Sequence, residues 1–294
     1  HDGAHRSTRE RGVNHDGQGR IPTVDLRDHV DPRIAVGARV EAPFGKKRKV
    51  GYVVGLSPKG TLPEKAIKPI ARLLDETPLL DARLLDLSKR IHTYYLCSWG
   101  EILEAMVPGS FRPRQKGIAP LDEVAQVSEV PLPLSDEEKE KMERVVKALH
   151  RHHPETFLLM GGLPERRCEM VLQAIQHALE KGLSSIVLYP EIALTREAQA
   201  SFRRRFGKEV VFLHSGLSPL DRYATWCSLQ EGRSRIVVGV RSAIFSPVQK
   251  LGLIVLFEEH DPSYKQEESP RYHAKRVARF RAAFESSVLL LESE

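Results

Sequence analysis

From residue 156 onward, strand-sized apolar runs alternate with longer stretches whose apolar residues recur every three or four positions. The runs fall at 156–161, 185–189, 210–214, 236–240, 251–257 and 288–291. Between the first two, Cys168, Val171, Leu172, Ile175 and Leu179 trace one face of a helix. Such alternation predicts an α/β domain, a parallel sheet with helices on both faces. Ligands of such sheets bind beyond the carboxyl ends of the strands. Ahead of the first run, Ser135-x-x-Glu138 has the form of a capping box and predicts a helix to about His150.

The front of the chain has a different pattern. VGARVEAP from Val36, a basic turn holding Lys46, Lys47, Arg48 and Lys49, and then VGYVVGLS predict a small β unit. Leu84, Leu87, Ile91, Tyr94 and Tyr95 predict a helix over 80–97 that packs on it. Prolines at 108, 113, 120, 131 and 133 leave little room for regular structure. Four segments are therefore expected: a disordered tail over 1–30, a small β-rich domain over 31–108, a proline-rich linker over 109–133, and the α/β domain over 134–294. Because VLLLESE stops on a strand with no closing helix, the chain is expected to be a fragment.

Composition narrows the class. At 294 residues with 41% hydrophobic and 29% charged positions, the chain has the make-up of an ordinary globular protein of about two domains. No apolar run approaches the ~18 residues of a membrane span, and the polar first 25 residues hold no signal-peptide core. Cys97, Cys168 and Cys227 stand far apart, so neither a disulfide framework nor a zinc site is expected, and a reducing cytoplasm fits. The net charge of +6 is compatible with a polyanionic partner. His150, His152 and His153 suit a favourable charge at a helix C-terminus better than a metal site.

The strand ends carry the most specific patterns. They are YPEIALT from Tyr189, LHSGL from Leu213, VGVRSAIF from Val238, and EEHDPSYKQE from Glu258 followed by RYHA from Arg271. Together they resemble the helicase region of the PriA family, bacterial replication-restart proteins of helicase superfamily 2. VGARVEAPFG from Val36 and the 68–74 stretch resemble that family's 3′-end-binding domain, so the likeness covers about 250 residues. It implies a RecA-like first helicase lobe behind a small DNA-binding domain. The family's ATP and magnesium would lie at the strand ends, and its zinc-binding cysteines and second lobe would lie beyond residue 294. Its winged helix has no counterpart among the proline-rich residues that join the two domains.

The resemblance places a phosphate cradle of G-x-x-x-x-G-K-[ST] type at Gly161 to Cys168, where this chain reads GGLPERRC. Gly161 remains. Pro164 removes an amide donor, Arg167 stands for the lysine and Cys168 for the magnesium-binding hydroxyl. Glu165 adds a carboxylate where phosphate charge would sit. Phe257 replaces the magnesium-holding aspartate, which leaves Glu258 and Glu259 as a vestigial catalytic pair. Glu138 is the nearest equivalent of the adenine-reading glutamine. Taken alone, a Gly-Gly-Leu-Pro-Glu string is a tight turn before a helix, and two glutamates at a strand end are ordinary polar residues. In the family context, loss of ATP hydrolysis is expected.

The DNA-facing patterns are better kept. By resemblance, Arg241 and Ser242 meet single-strand phosphates, while Tyr264, Lys265, Arg271 and Tyr272 form an aromatic and basic loop suited to base stacking and phosphate neutralisation. The alternative is that these tyrosines pack the loop onto the domain. Gly45 and Lys68 match pocket positions of the 3′-end-binding domain, and Lys46 and Arg48 are placed for phosphates. An aromatic-aspartate pair that closes the family's pocket has no match before Val36. The resulting expectation is a fork-recognising DNA-binding protein that supports primosome assembly without ATP-driven unwinding. Its expected partners are forked or single-stranded DNA and, by family analogy, primosome proteins and single-strand-binding protein, with no membrane role. An active 3′-to-5′ helicase and a protein-interaction scaffold remain the alternatives.

Overall fold

The computed structural model describes residues 10–13, 23–25, 34–44, 46–57, 68–107, 131–191 and 193–294. Most of the expected linker lies outside them. The chain divides into two compact units, with the division falling between residues 109 and 116.

The front unit is built on a sheet of β1 (Glu10–Val13), β2 (Thr23–Asp25), β3 (Arg39–Phe44), β4 (Lys47–Ser57), β5 (Lys68–Pro69) and β6 (Arg72–Leu73), in the order β5-β2-β1-β4-β3-β6. Two of these short strands fall inside residues 1–30, where the sequence led us to expect a tail. Arg11 pairs with both Val24 and Leu56, so β1 joins β2 to β4 through its backbone, which needs no strong side-chain pattern. β3 and β4 form the expected hairpin, with Arg39 opposite Tyr52 and Phe44 opposite Lys47. Alternation along β3 buries Val40 and Ala42 with Val53 and Ile34. Beneath them Arg39 meets Asp75 in a buried ion pair, with Nη2 to Oδ1 at 2.7 Å and the Arg39 amide donating to Oδ2 at 2.9 Å.

Helix α1 (Ala82–Tyr95) is capped by Asp81, which accepts from the Leu84 amide at 2.9 Å, and buries Leu84, Leu85, Leu87 and Ile91. Gly37 allows the close approach of this segment. Its φ is +92°, and a Cβ there would lie 1.8 Å from the Leu80 carbonyl oxygen. Helix α2 (Trp99–Met106) follows, opened by the Ser98 amide donating to Glu101 at 3.1 Å. Trp99 Nε1 donates to Ser88 Oγ at 2.7 Å and ties α2 to α1.

The second unit contains α3 (Asp136–Arg151), β7 (Thr156–Met160), α4 (Pro164–Glu180), β8 (Ser184–Leu188), α5 (Arg196–Phe206), β9 (Val210–Leu213), α6 (Pro219–Gln230), β10 (Ile236–Gly239), β11 (Leu251–Leu256), α7 (Ala274–Glu285) and β12 (Val288–Ser293). Its six strands are all parallel, in the order β7-β12-β11-β8-β10-β9, and each expected run is a strand. β8 to β11 are buried along their whole length, so they read as unbroken apolar runs. The edge strand β7 instead leaves Leu158 and Met160 exposed. The core joins α3 and α4 to the sheet through Met142, Val145, Val171, Ile175, Val187 and Val255. This is the expected α/β fold, with a RecA-like lobe as the second unit. In register, Leu256 pairs with both Leu188 and Leu291, which brings the residues after β8, β11 and β12 together at one edge.

Candidate nucleotide and nucleic-acid site

At that edge, β7 ends in the turn of Gly161 and Gly162, both at positive φ (+77° and +71°), with nothing within 4 Å of where their Cβ atoms would lie. Leu163 is the N-cap of α4, with Pro164 as its first helical residue. One turn into α4, Arg167 points inward. Its Nε donates to Glu292 Oε1 at 2.5 Å and its Nη1 to the Gly162 carbonyl at 2.8 Å, with both side chains about 6% exposed. Expected as the charge that meets phosphate, Arg167 instead pairs with this protein's own carboxylate. The reason is electrostatic: a guanidinium in so closed a place needs a counter-charge, and β12 supplies one. Cys168 is partly buried against the core beside it.

Glu292 has a second contact. Its Oε2 accepts from the Glu258 amide at 3.0 Å, and its backbone oxygen accepts from the Glu259 amide at 2.9 Å. The sequence reading misses Glu292; its only signal is a glutamate closing an apolar strand. Glu258 sits at φ +45°. Its carboxyl is held above the ordinary range first by burial, then by Asp261 and Glu292. Glu259 is ion-paired with Lys275. Phe257 is 7% exposed, and its ring stacks on Tyr189 at 4.2 Å and 18°. The position that carries a carboxylate in the resemblance therefore belongs to the apolar core. Glu138 accepts from Arg166 Nε at 2.9 Å, and this guanidinium with the Ser135 amide holds its pKa down at about 2.

The loop over 258–273 is internally braced. Arg241 Nη1 donates to the carbonyls of Ser263 (2.9 Å) and Lys265 (2.7 Å), while the Lys265 ammonium donates to the Arg271 carbonyl. Asp261 caps the short turn at Pro262–Tyr264 by accepting from the Ser263 amide at 2.7 Å. Tyr264 is 0% exposed, and its hydroxyl shares its one proton between the carbonyls of Phe257 (2.6 Å) and Leu188 (3.0 Å). Tyr272 is 2% exposed and packs edge-on against Phe245. Burial pushes its pKa up to about 12 against the opposing effect of Arg241. The expectation that these two rings stack on bases is corrected here: each ring is used by the lobe itself. Aromatic and basic residues interleave in the same way whether a loop reads DNA or packs on its own domain. Arg271 and Ser242 do face solvent.

In the front unit, Lys46 and Arg48 are exposed near the tip of the β3–β4 hairpin. Lys49 lies 4.8 Å over the Phe44 ring, and Glu41 is within 3.9 Å of both Arg48 and Arg72. Gly45 lies outside the described residues. Lys68 is in β5, next to Val24 of β2, and its side chain lies outside the described set. No group of three His, Cys, Asp or Glu side chains able to hold a metal occurs among the described residues, and no helix among them is long and apolar enough to cross a membrane.

These features define a small β-rich domain followed by a RecA-like α/β lobe of six parallel strands. Residues 25–108 match the family model described as the 3′DNA-binding domain of PriA. The replication restart protein PriA of Bacillus subtilis is 45% identical over 163 residues, covering 55% of this chain and 20% of that protein. PriA of Treponema pallidum is 35% identical over 253 residues, covering 84% and 38%, and PriA of Haemophilus influenzae is 28% identical over 333 residues, covering 88% and 46%. The chain is thus similar to the replication restart proteins PriA, and it spans less than half the length of each of these relatives.

Proposed function

We propose that this chain recognises DNA at stalled forks for replication restart, through a 3′-end pocket in the front unit and the strand-end loops of the second, and that it does so without ATP-driven unwinding. The observation that carries the second half is the Arg167–Glu292 pair. A nucleotide phosphate would have to displace a carboxylate already 2.5 Å from the guanidinium. Phe257, set into the core under Tyr189, offers magnesium no oxygen. The first half rests on the match to the 3′DNA-binding domain and on the exposed cations of the β3–β4 hairpin. Primosome proteins and single-strand-binding protein are the partners this role calls for, and the cytoplasm is its place.

Two measurements test this. Titration calorimetry with ATP and magnesium should give no heat of binding at millimolar nucleotide; micromolar affinity would refute the nucleotide half. Fluorescence anisotropy on a fork with a free 3′ end should show binding that weakens steeply with salt, as counterion release requires. A flat salt dependence, or no binding, would favour a protein scaffold instead.

A further inference from the structure

The lobe contains an anion site that it fills itself. An oxyanion at this strand edge meets two donors, the Arg167 guanidinium from α4 and the Glu258 amide from the start of the 258–273 loop. The Glu292 carboxylate takes both, with Oε1 at 2.5 Å from Nε and Oε2 at 3.0 Å from the amide. The guanidinium also holds the Gly162 carbonyl at 2.8 Å, so a single carboxylate connects the β7 turn, α4, β12 and the loop after β11. Nucleotide phosphates make just this sort of connection between strand ends, being multi-dentate anions that several loops can share.

We propose that Glu292 is a built-in substitute for a bound phosphate, fixing the 258–273 loop in one position at all times, so that the affinity of the lobe for DNA does not respond to nucleotide. This rests on the nucleotide-free reading above and goes further by naming the group that does the nucleotide's positioning. The chemistry the site accepts is that of a small oxyanion, carboxylate or phosphate. Glu292 is a positioning residue, since its side chain is buried at 6% exposure; its carboxylate reaches the loop through the Glu258 amide. Glu258 adds a like charge nearby, which keeps the site suited to a single anion and not to a polyphosphate.

The test uses the 294-residue chain and two variants, Glu292→Ala and Glu292→Gln, followed by hydrogen exchange with formate or inorganic phosphate as the probe and chloride as the ionic-strength control. In Glu292→Ala, exchange at the Glu258 amide should rise at least about tenfold, the effect of losing one charge-assisted hydrogen bond, while β8 and β11 stay protected. Formate or phosphate should reverse the rise by entering the vacated site, and should leave the parent unchanged. Glu292→Gln retains an acceptor for the Glu258 amide and fills the space, so its rise should be smaller and insensitive to formate. It keeps the test decisive if the alanine variant does not fold. The proposal is overturned if loop exchange stays at the parent level in both variants, or rises in step with the strands and ignores the anions. Calorimetry on the parent separates the two ideas: ATP binding there would refute the nucleotide-free reading, while the exchange data would still decide whether Glu292 positions the loop.

Discussion

Replacing Phe257 by aspartate restores, by resemblance, the magnesium-holding carboxylate. The structure says that this change alone harms the protein. The ring is 7% exposed, stacks on Tyr189 at 4.2 Å and belongs to the main apolar cluster, with Tyr189 packed edge-on against Phe202. Removing a buried phenyl group costs roughly 3–5 kcal/mol. The new carboxyl would sit among apolar neighbours that disfavour its ionised form, so its folded pKa lies above the unfolded value of about 3.9. A group raised in this way loses stability as pH climbs from its unfolded pKa to its folded pKa, by about 1.4 kcal/mol for each unit of that interval, and no further above it. Phe257→Asp should therefore be least damaged below about pH 4 and progressively worse as pH climbs toward the folded pKa. Guanidinium unfolding followed by the fluorescence of Trp226, which is 1% exposed in this lobe, measures the loss at each pH. Nucleotide binding should not return, because Arg167 still faces Glu292. A variant that unfolds with the parent's midpoint at both pH 5 and pH 8 would refute the reasoning, since the position could then not lie in the core.

Three further expectations follow from the geometry. Changing Lys46, Lys47 and Lys49 together to alanine should weaken binding to forks and plain duplex alike and lower the salt slope by about 2–3, whereas Lys68→Ala should weaken forks with a free 3′ end more than duplex. Equal effects of Lys68→Ala on the two substrates in anisotropy titrations would argue against an end pocket. Tyr264→Phe should destabilise the lobe by about 1–3 kcal/mol, since the Phe257 and Leu188 carbonyls lose a buried donor; a thermal melt matching the parent would refute it. Glu258→Gln should stabilise the protein near pH 7, where the raised carboxyl of Glu258 costs stability by ionising, and should change little below about pH 4. Urea midpoints at the two pH values check the sign.

Much of the fold is legible in the sequence, because burial on both faces writes itself as unbroken apolar runs. β8 to β11 and β12 lie where those runs lie, and Ser135 with Glu138 marks the start of α3. Helix α2 carries a comparable signal in Ser98 and Glu101, but it is short and follows α1 so closely that its apolar residues read as a continuation. The site is less legible. Residues 161–168 and Phe257 are visible in the sequence as departures from the pattern the resemblance implies. The partnership of Arg167 with Glu292 is not, because 125 residues separate the two and only the strand order brings them together. The tyrosines of the 258–273 loop illustrate a different limit. Composition says that a ring is present among cations, and only burial says which way it faces.

The position of β7 sets an order on folding during synthesis. Within its sheet β7 pairs with β12 alone, Thr156 with Leu289 and Met160 with Ser293. On a ribosome adding ~5–20 residues per second, β7 therefore emerges on the order of ten seconds before its partner exists. Through that interval α3, α4 and β8 can form, while the backbone of β7 waits without its partner. Glu292 arrives with the same late strand, so the partner of Arg167 and the pairing of β7 come into place in a single event. A nascent chain stalled before residue 288 would carry both an unpaired β7 and an Arg167 without its carboxylate partner.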